Sequence, residues 1–375
     1  MGIGILSAQQ VLDLNPRGTA PHRISCPSGL PLTSLLRKSS SAIDLPLGNK
    51  YWVMKGSCRT GGGMKVKVSD LTRLFARGSS AKTLEKETIL RKGSVHIFEV
   101  DCRLDLSGAK IEGKATAKSS IGRLDVLVRL LSDDTSEFDR INRDHDKPLY
   151  VEVTPITFDL VVRPGTCLSQ LRLFRGSERL VSMTQEEFEY EEHFPVVGED
   201  CRFSSKDPHE VWYPFGLDLA PVEGGFSGFV TKRDIKDAID PDKKNEYDPC
   251  DFWDPVPAKD DAIELQPDRL YILRSKERLR LPGHIALECQ AYTETMGEWR
   301  IEYAGFAHPF FGCSRPEGSP LMFEVRGHNI PTILTDGIQL GKVCFKRMSQ
   351  PAQEEEGQYE KQELKLSGCF KEWTK

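Results

Sequence analysis

Along most of this chain, apolar and polar residues alternate in short runs, the period of two that sends successive side chains to opposite faces of a strand. After Lys92-Gly93 the runs are Val95-His96-Ile97-Phe98, Val126-Leu127-Val128, Leu149 to Val153 and Phe158 to Val162, separated by turn signals such as Arg163-Pro164-Gly165. Upstream, Ala42-Ile43-Asp44-Leu45 and Tyr51-Trp52-Val53-Met54 predict two strands around a turn at Gly48-Asn49. Short strands at this spacing predict a mainly β fold, an antiparallel sandwich or barrel, rather than an alternating α/β chain. Helical signals are few. Ser7 with Gln10 three residues on is a capping box that opens a short helix through Leu12, closed by Asn15-Pro16. Residues 17 to 41 read as a loop, and Val66 to Leu90 has room for one or two helical turns. Gly61-Gly62-Gly63 lacks the Gly-Lys-Ser/Thr and strand-helix frame of a phosphate loop, so it predicts a flexible hairpin.

The pattern of the first half returns in the second. Leu149-Tyr150-Val151-Glu152-Val153 matches Leu321-Met322-Phe323-Glu324-Val325 at an offset of 324 − 152 = 172. Val95 to Phe98 matches Leu270 to Leu273, with Leu106-Ser107-Gly108 on Leu281-Pro282-Gly283 at 281 − 106 = 175. Ala42 to Leu45 matches Gly216 to Leu219 at 218 − 44 = 174. Nearly constant offsets predict two copies of one domain. The boundaries are a first copy over 1–182, an acidic and polar connection over 183–210, a second copy over 211–350 and a polar, mobile tail over 351–375. Residues 240 to 260, with three Asp-Pro pairs, predict an irregular loop.

Composition narrows the function classes. The chain has 375 residues, 38% hydrophobic and 29% charged, as in soluble globular proteins. A net charge of −5 without a long basic run argues against nucleic acid as a partner. No apolar run is long enough to span a membrane, and the N-terminus has no basic region of a signal peptide. The ten cysteines are scattered singly with no CxxC pair, which predicts reduced thiols in a cytoplasmic protein. The eight histidines never fall at metal-ligand spacing.

The candidate chemistry lies in Ala117-Lys118-Ser119-Ser120-Ile121-Gly122-Arg123 and in Glu152. Two adjacent hydroxyls and a guanidinium within five residues suit a triphosphate, which needs several donors and a fixed positive fork. A carboxylate in a strand can move protons. Taken alone, a Ser-Ser-x-x-Arg string is most often an exposed turn, and a Glu between two Val residues is most often the solvated face of a half-buried strand. Ser119, Ser120 and Arg123 align with Glu294, Thr295 and Glu298 in the second half, so only the first copy has the phosphate-binding groups, and one competent site per chain is expected there.

These motifs resemble the deoxycytidine triphosphate deaminases, in particular their long, two-copy bacterial form, within the trimeric deoxyuridine triphosphatase-like superfamily. Residues 117–123 resemble the family's (A/P)-x-S-S-x-(A/G)-R, and Ser41 to Gly48 its (A/S)-S-x-D-L-R-L-G, with Pro46 in place of the family's Arg. Arg140-Ile141 followed by Glu152 is similar in spacing to the family's Arg-Ile pair and glutamate. Tyr303-Ala304-Gly305-Phe306 with Pro309-x-Phe311-Gly312 resembles A-G-x-x-x-P-x-F-x-G, and Tyr359 to Gln362 resembles Y-x-x-Q. The resemblance implies two tandem distorted β-barrel or β-sandwich (β-clip) domains with a few short helices. It implies hydrolysis of dCTP to dUTP and ammonia in pyrimidine deoxynucleotide synthesis, Mg²⁺ carried by the substrate, and a homo-oligomer. By the same resemblance Glu152 is the general base, Ser119 positions the water and Arg123 holds phosphate or transition state. Ser120, Lys118, Arg140, Gln170, Tyr359 and Gln362 bind the nucleotide, and Asp44 supports the fold.

Zinc deaminases use an H-x-E and P-C-x-x-C metal site. The chain has neither motif, so the expected route is a glutamate that shuttles protons without zinc. Two rivals remain at this level: a dUTP diphosphatase, alone or after deamination, and a non-catalytic nucleotide-binding protein.

Overall fold

The computed structural model describes residues 2–15, 23–38, 41–61, 66–78, 80–188, 191, 194–197, 212–291, 299–302, 305–354 and 363–374. Its architecture is mainly β, two large curled sheets with a few short helices. In the first half, hydrogen bonding runs through Val126–Ser132, Leu149–Pro155, Val95–Val100, Ala42–Met54, Cys167–Arg175, Ile111–Ala117 and Arg140–Ile141, in that order. In the second it runs through Trp299–Glu302, Ser319–Gly327, Leu270–Leu279, Tyr213–Asp218, Gln339–Arg347, Ile285–Ala291 and Phe306–Ala307. Every strand of the second series begins 166 to 175 residues after its counterpart in the first. A small ribbon also recurs, Thr88–Leu90 with Leu160–Val162 and Ala262–Leu265 with Thr332–Thr335. The second half carries an extra hairpin, Gly228–Thr231 with Trp253–Val256, laid on Leu270–Leu279.

The capping box forms as read: Gln10 N–H donates to Ser7 Oγ at 3.4 Å and Ser7 N–H to Gln10 Oε1 at 2.9 Å, opening the helix Ala8–Leu12. A helix over Val68–Phe75 occupies the stretch with room for one or two turns. Of the glycine run, Gly61 is described and pairs with Val66, whereas Gly62 and Gly63 lie outside the described residues.

Several expectations change. Ala42–Met54 is one strand, not two around a turn. Its first part pairs with Cys167–Leu171 and its second with Val95–Phe98, with a register shift between Leu47 and Tyr51. Gly48 belongs there because a Cβ would come within 3.0 Å of the Glu99 carbonyl oxygen. Residues 17–41 contain the short helix Leu32–Leu35, and the 240–260 loop holds the strand Trp253–Val256. The first copy ends with a helical turn, Glu178–Val181, and the connection begins with another, Gln185–Phe188.

The largest change is at the C-terminus. Residues 363–374, expected in a mobile tail, are packed: Leu366, Cys369 and Phe370 are buried in the main core beside Phe158, Phe252 and Trp253. Trp373 lies 5.0 Å, centroid to centroid, from Phe229. Apolar residues spaced through a polar stretch are buried there and help hold it down. The main core is shared between halves, with Phe226, Phe229, Trp253, Leu270 and Ile272 joining the first-half strands. A second core fills the second sheet, and a small apolar cluster around Ile5, Phe174, Ala286 and Met348 lies where the halves meet. Among the described residues no helix is long and apolar enough to cross a membrane.

Candidate active site

The Ser119 turn is positioned by the strand that leads into it. Ile111–Ala117 pairs along its length with Cys167–Arg175, and the next N–H, of Lys118, donates to the Leu168 carbonyl at 3.0 Å. Ser119–Gly122 then makes a single helical turn, anchored by buried Ile121 and Leu124. Asp125, at φ +56°, sends the chain back into Val126–Ser132. Aspartate tolerates that left-handed conformation better than most residues. Ser119 is left exposed and Ser120 half-exposed, while the Arg123 side chain is drawn inward to 2% exposure.

Inside, Arg123 meets the second half of the chain. Its Nε lies 3.7 Å from Glu324 Oε1, and its Nη1 donates to the Lys365 carbonyl at 2.9 Å. Ser367 Oγ donates to the Ser120 carbonyl at 2.8 Å, so the packed C-terminal segment straps the turn from the other side. Glu324 sits in the middle of Ser319–Gly327, opposite Ile272, with its side chain 7% exposed. Burial pushes this carboxyl up to about 8, against the pull of Arg123 toward the ionised form. The same surroundings raise the neighbouring Cys289 thiol, first by burial and then by the Glu324 charge. Cys289 N–H donates to the Gly305 carbonyl at 2.8 Å, which sets the Gly305-Phe306 motif beside the same carboxylate. A buried carboxyl raised toward neutrality beside a fixed guanidinium, with two serines on the same turn, is an arrangement for proton transfer next to an anion.

The N-terminal domain model of 2'-deoxycytidine 5'-triphosphate deaminase matches residues 3–177 and the C-terminal domain model residues 204–370. The crystal structure of 2'-deoxycytidine 5'-triphosphate deaminase from Agrobacterium tumefaciens is 30% identical, with a TM-score of 0.80 over 94% of this chain and 100% of that one. The chain belongs to the 2'-deoxycytidine 5'-triphosphate deaminase family. No curated protein matches it. The family is one of hydrolytic deaminases, and the two curled, mostly β sheets are those of its solved member.

Within this family frame the structure separates Glu152 from the Ser119 turn. Glu152 accepts from Ser57 Oγ at 2.6 Å and from Cys58 N–H at 3.1 Å, and faces Arg129 and Ile97 in the neighbouring strands. It is buried and raised by that burial, but residues 57–58 cover it and no contact with Arg123 is among its partners. Lys118 Nζ binds Asp44 at 3.1 Å, a carboxylate also held by Arg37 at 2.8 Å. Arg140 is engaged by Glu137 at 2.5 Å and by Glu178. Gln170 lies between Asp44 and Thr116 in the sheet register. Tyr359 and Gln362 fall outside the described residues, as do Glu294, Thr295 and Glu298. Ser119, Ser120 and Arg123 therefore share one turn, and the carboxylate that Arg123 approaches is Glu324. Its sequence signal was its place in the repeated Leu-x-x-Glu-Val strand; Lys365 and Ser367 had none.

Proposed function

We propose that this chain catalyses hydrolytic deamination of dCTP to dUTP and ammonia, at a site assembled between its two halves, with Glu324 as the proton-transferring carboxylate. The observation that carries the assignment is the 3.7 Å approach of Arg123 to Glu324. Water must be made nucleophilic at C4, N3 must gain a proton, and the exocyclic amine must leave as ammonia. In this reading Glu324 takes a proton from the attacking water and passes it to N3. It then takes the proton of the new C4 hydroxyl and delivers it to the departing amine, restoring the carboxylate as the carbonyl forms. General acid-base assistance of this kind contributes about 10²- to 10⁴-fold.

Arg123 holds Glu324 in place and favours its ionised form, and burial excludes bulk water from the proton path. Ser119 and Ser120, at the exposed end of the turn, supply hydroxyl donors for phosphate oxygens. The set Ser119, Ser120 and Arg123 brings no carboxylate to a cation, so in this reading Mg²⁺ enters as the triphosphate's own partner. The route is zinc-independent because the chain lacks the H-x-E and P-C-x-x-C ligand motifs. The two halves act as copies of one domain, one giving the turn and the other the carboxylate. Residues 57–58 cover the corresponding carboxylate of the first copy.

Ammonia and diphosphate release from dCTP and dUTP with Mg²⁺, on protein treated with a zinc chelator, tests the reaction. Ammonia from dCTP without diphosphate is expected. Diphosphate from either nucleotide would move the assignment to a diphosphatase, and neither product would leave a binding protein.

A further inference from the structure

A cleft lies between the halves, open to solvent at its mouth. Its charged lining consists of Lys114, Arg172, Glu178, Glu288 and Lys346, against apolar walls that include Phe174 and Phe306. Lys114 Nζ contacts Glu178 at 2.5 Å and also Glu288. Lys346 Nζ lies 3.3 Å from Glu288 and donates to Ser182 Oγ at 2.9 Å. Glu178 is further shared with Arg140. Three cations thus line the cleft against two carboxylates, and one of those carboxylates is already committed to a fourth cation.

Arg172 is the residue this leaves short. It is buried, its guanidinium carbon lies 3.8 Å from the centroid of the Phe306 ring, and its Nη2 donates to Thr116 Oγ1 at 3.0 Å. Its Nη1 is buried and has no hydrogen-bond partner among the described residues. Arginine stays protonated in proteins, so a buried guanidinium with an unused donor and no direct carboxylate contact is costly unless an anion reaches it. Burial pulls this guanidinium down to about 10, the direction expected when the counter-charge is incomplete.

We propose that this cleft binds a small oxyanion, a phosphate or carboxylate group, with Arg172 Nη1 as its principal donor and Lys114 and Lys346 as flanking charge. Lys114 and Arg172 come from the first half, Lys346 and Phe306 from the second, so an occupant ties together the interface that also brings Arg123 to Glu324. The inference does not depend on the deamination assignment. The experiment is thermal unfolding of the full chain in rising orthophosphate or acetate, against chloride at matched ionic strength. A rise in Tm of roughly 2 °C beyond chloride is expected, since a ligand that binds only the folded state stabilises it. The rise should vanish in Arg172→Gln and persist in Arg123→Gln. If Arg172→Gln fails to fold, Lys114→Gln, at a more exposed position, should raise the half-effect concentration about tenfold. No rise over chloride, a rise that survives Arg172→Gln, or one unchanged by Lys114→Gln would overturn the proposal. Acetate acting alone would assign the site to carboxylates, and phosphate alone to phosphates.

Discussion

Arg326 Nη1 donates to Asp125 Oδ2 at 2.6 Å, two residues beyond Glu324 on one side and two beyond Arg123 on the other. At this point the halves meet through two neighbouring ion pairs of opposite polarity, Arg123 with Glu324 and Asp125 with Arg326. Asp125 is fully buried and also accepts from the Thr157 hydroxyl. Removing one member of a buried pair leaves an uncompensated charge, at a cost of about 3–5 kcal/mol. Arg326→Met is thus expected to lower stability by about that amount in urea unfolding. Because the same pair fixes the register of Arg123 on Glu324, it should also lower kcat for ammonia release more than it raises KM. An unchanged kcat would reduce the pair to a structural role.

Glu324 makes stability depend on pH in a defined sense. Its folded value is raised from 4.5 to about 8, so between those values the unfolded chain has lost the proton that the folded chain keeps. Its contribution is fully present below about 4.5 and is lost as pH rises through 8. Glu324→Gln removes this dependence. Compared with the parent, the variant should lose less Tm between pH 6 and pH 8.5, and parallel curves would show that the carboxyl titrates elsewhere.

The same raised carboxyl sets the rate profile. kcat/KM reports ionisations of the free enzyme, and the base must be deprotonated to accept a proton from water. kcat/KM for dCTP is expected to rise with pH along a limb far above 4.5, toward 8. Arg123→Gln removes the charge that favours ionisation and should displace the limb upward, beyond any drop in the plateau.

Phe370 tests the C-terminal strap. It packs against Phe252 at 5.3 Å and Trp253 at 6.0 Å, and the segment before it carries the Lys365 carbonyl to Arg123. Phe370→Ala should cost about 3–5 kcal/mol through the cavity it leaves. It should also reduce ammonia release at temperatures where the rest of the fold is intact. Normal activity in a destabilised variant would show that the strap does not hold Arg123.

Much of this fold was legible because alternation is local. The runs at Val95, Leu149 and Leu270 are strands, and the repeat offsets anticipate the common strand order of the two sheets. Ser119, Ser120 and Arg123 were singled out only through the family motif they resemble, because taken alone a Ser-Ser-x-x-Arg string is most often an exposed turn. The partner of Arg123 was not legible. Glu152 and Glu324 stand in near-identical strands, and the contact that distinguishes them spans 324 − 123 = 201 residues of chain, which no local pattern records. Gly48-Asn49 was misread because a glycine required for close approach to Glu99 looks like a glycine required for a turn. The tail was misread because Leu366, Phe370 and Trp373 are too widely spaced among polar residues to form a period.

The most direct measurement is ammonia release from dCTP by Glu324→Gln and Glu152→Gln side by side, with nucleotide binding measured on both. Glu324→Gln should lose at least about 10²-fold in kcat while still binding dCTP, and Glu152→Gln should keep activity within a few-fold of the parent. Loss of turnover in Glu152→Gln with activity retained in Glu324→Gln would contradict the interdomain site and return the base to the first half of the chain.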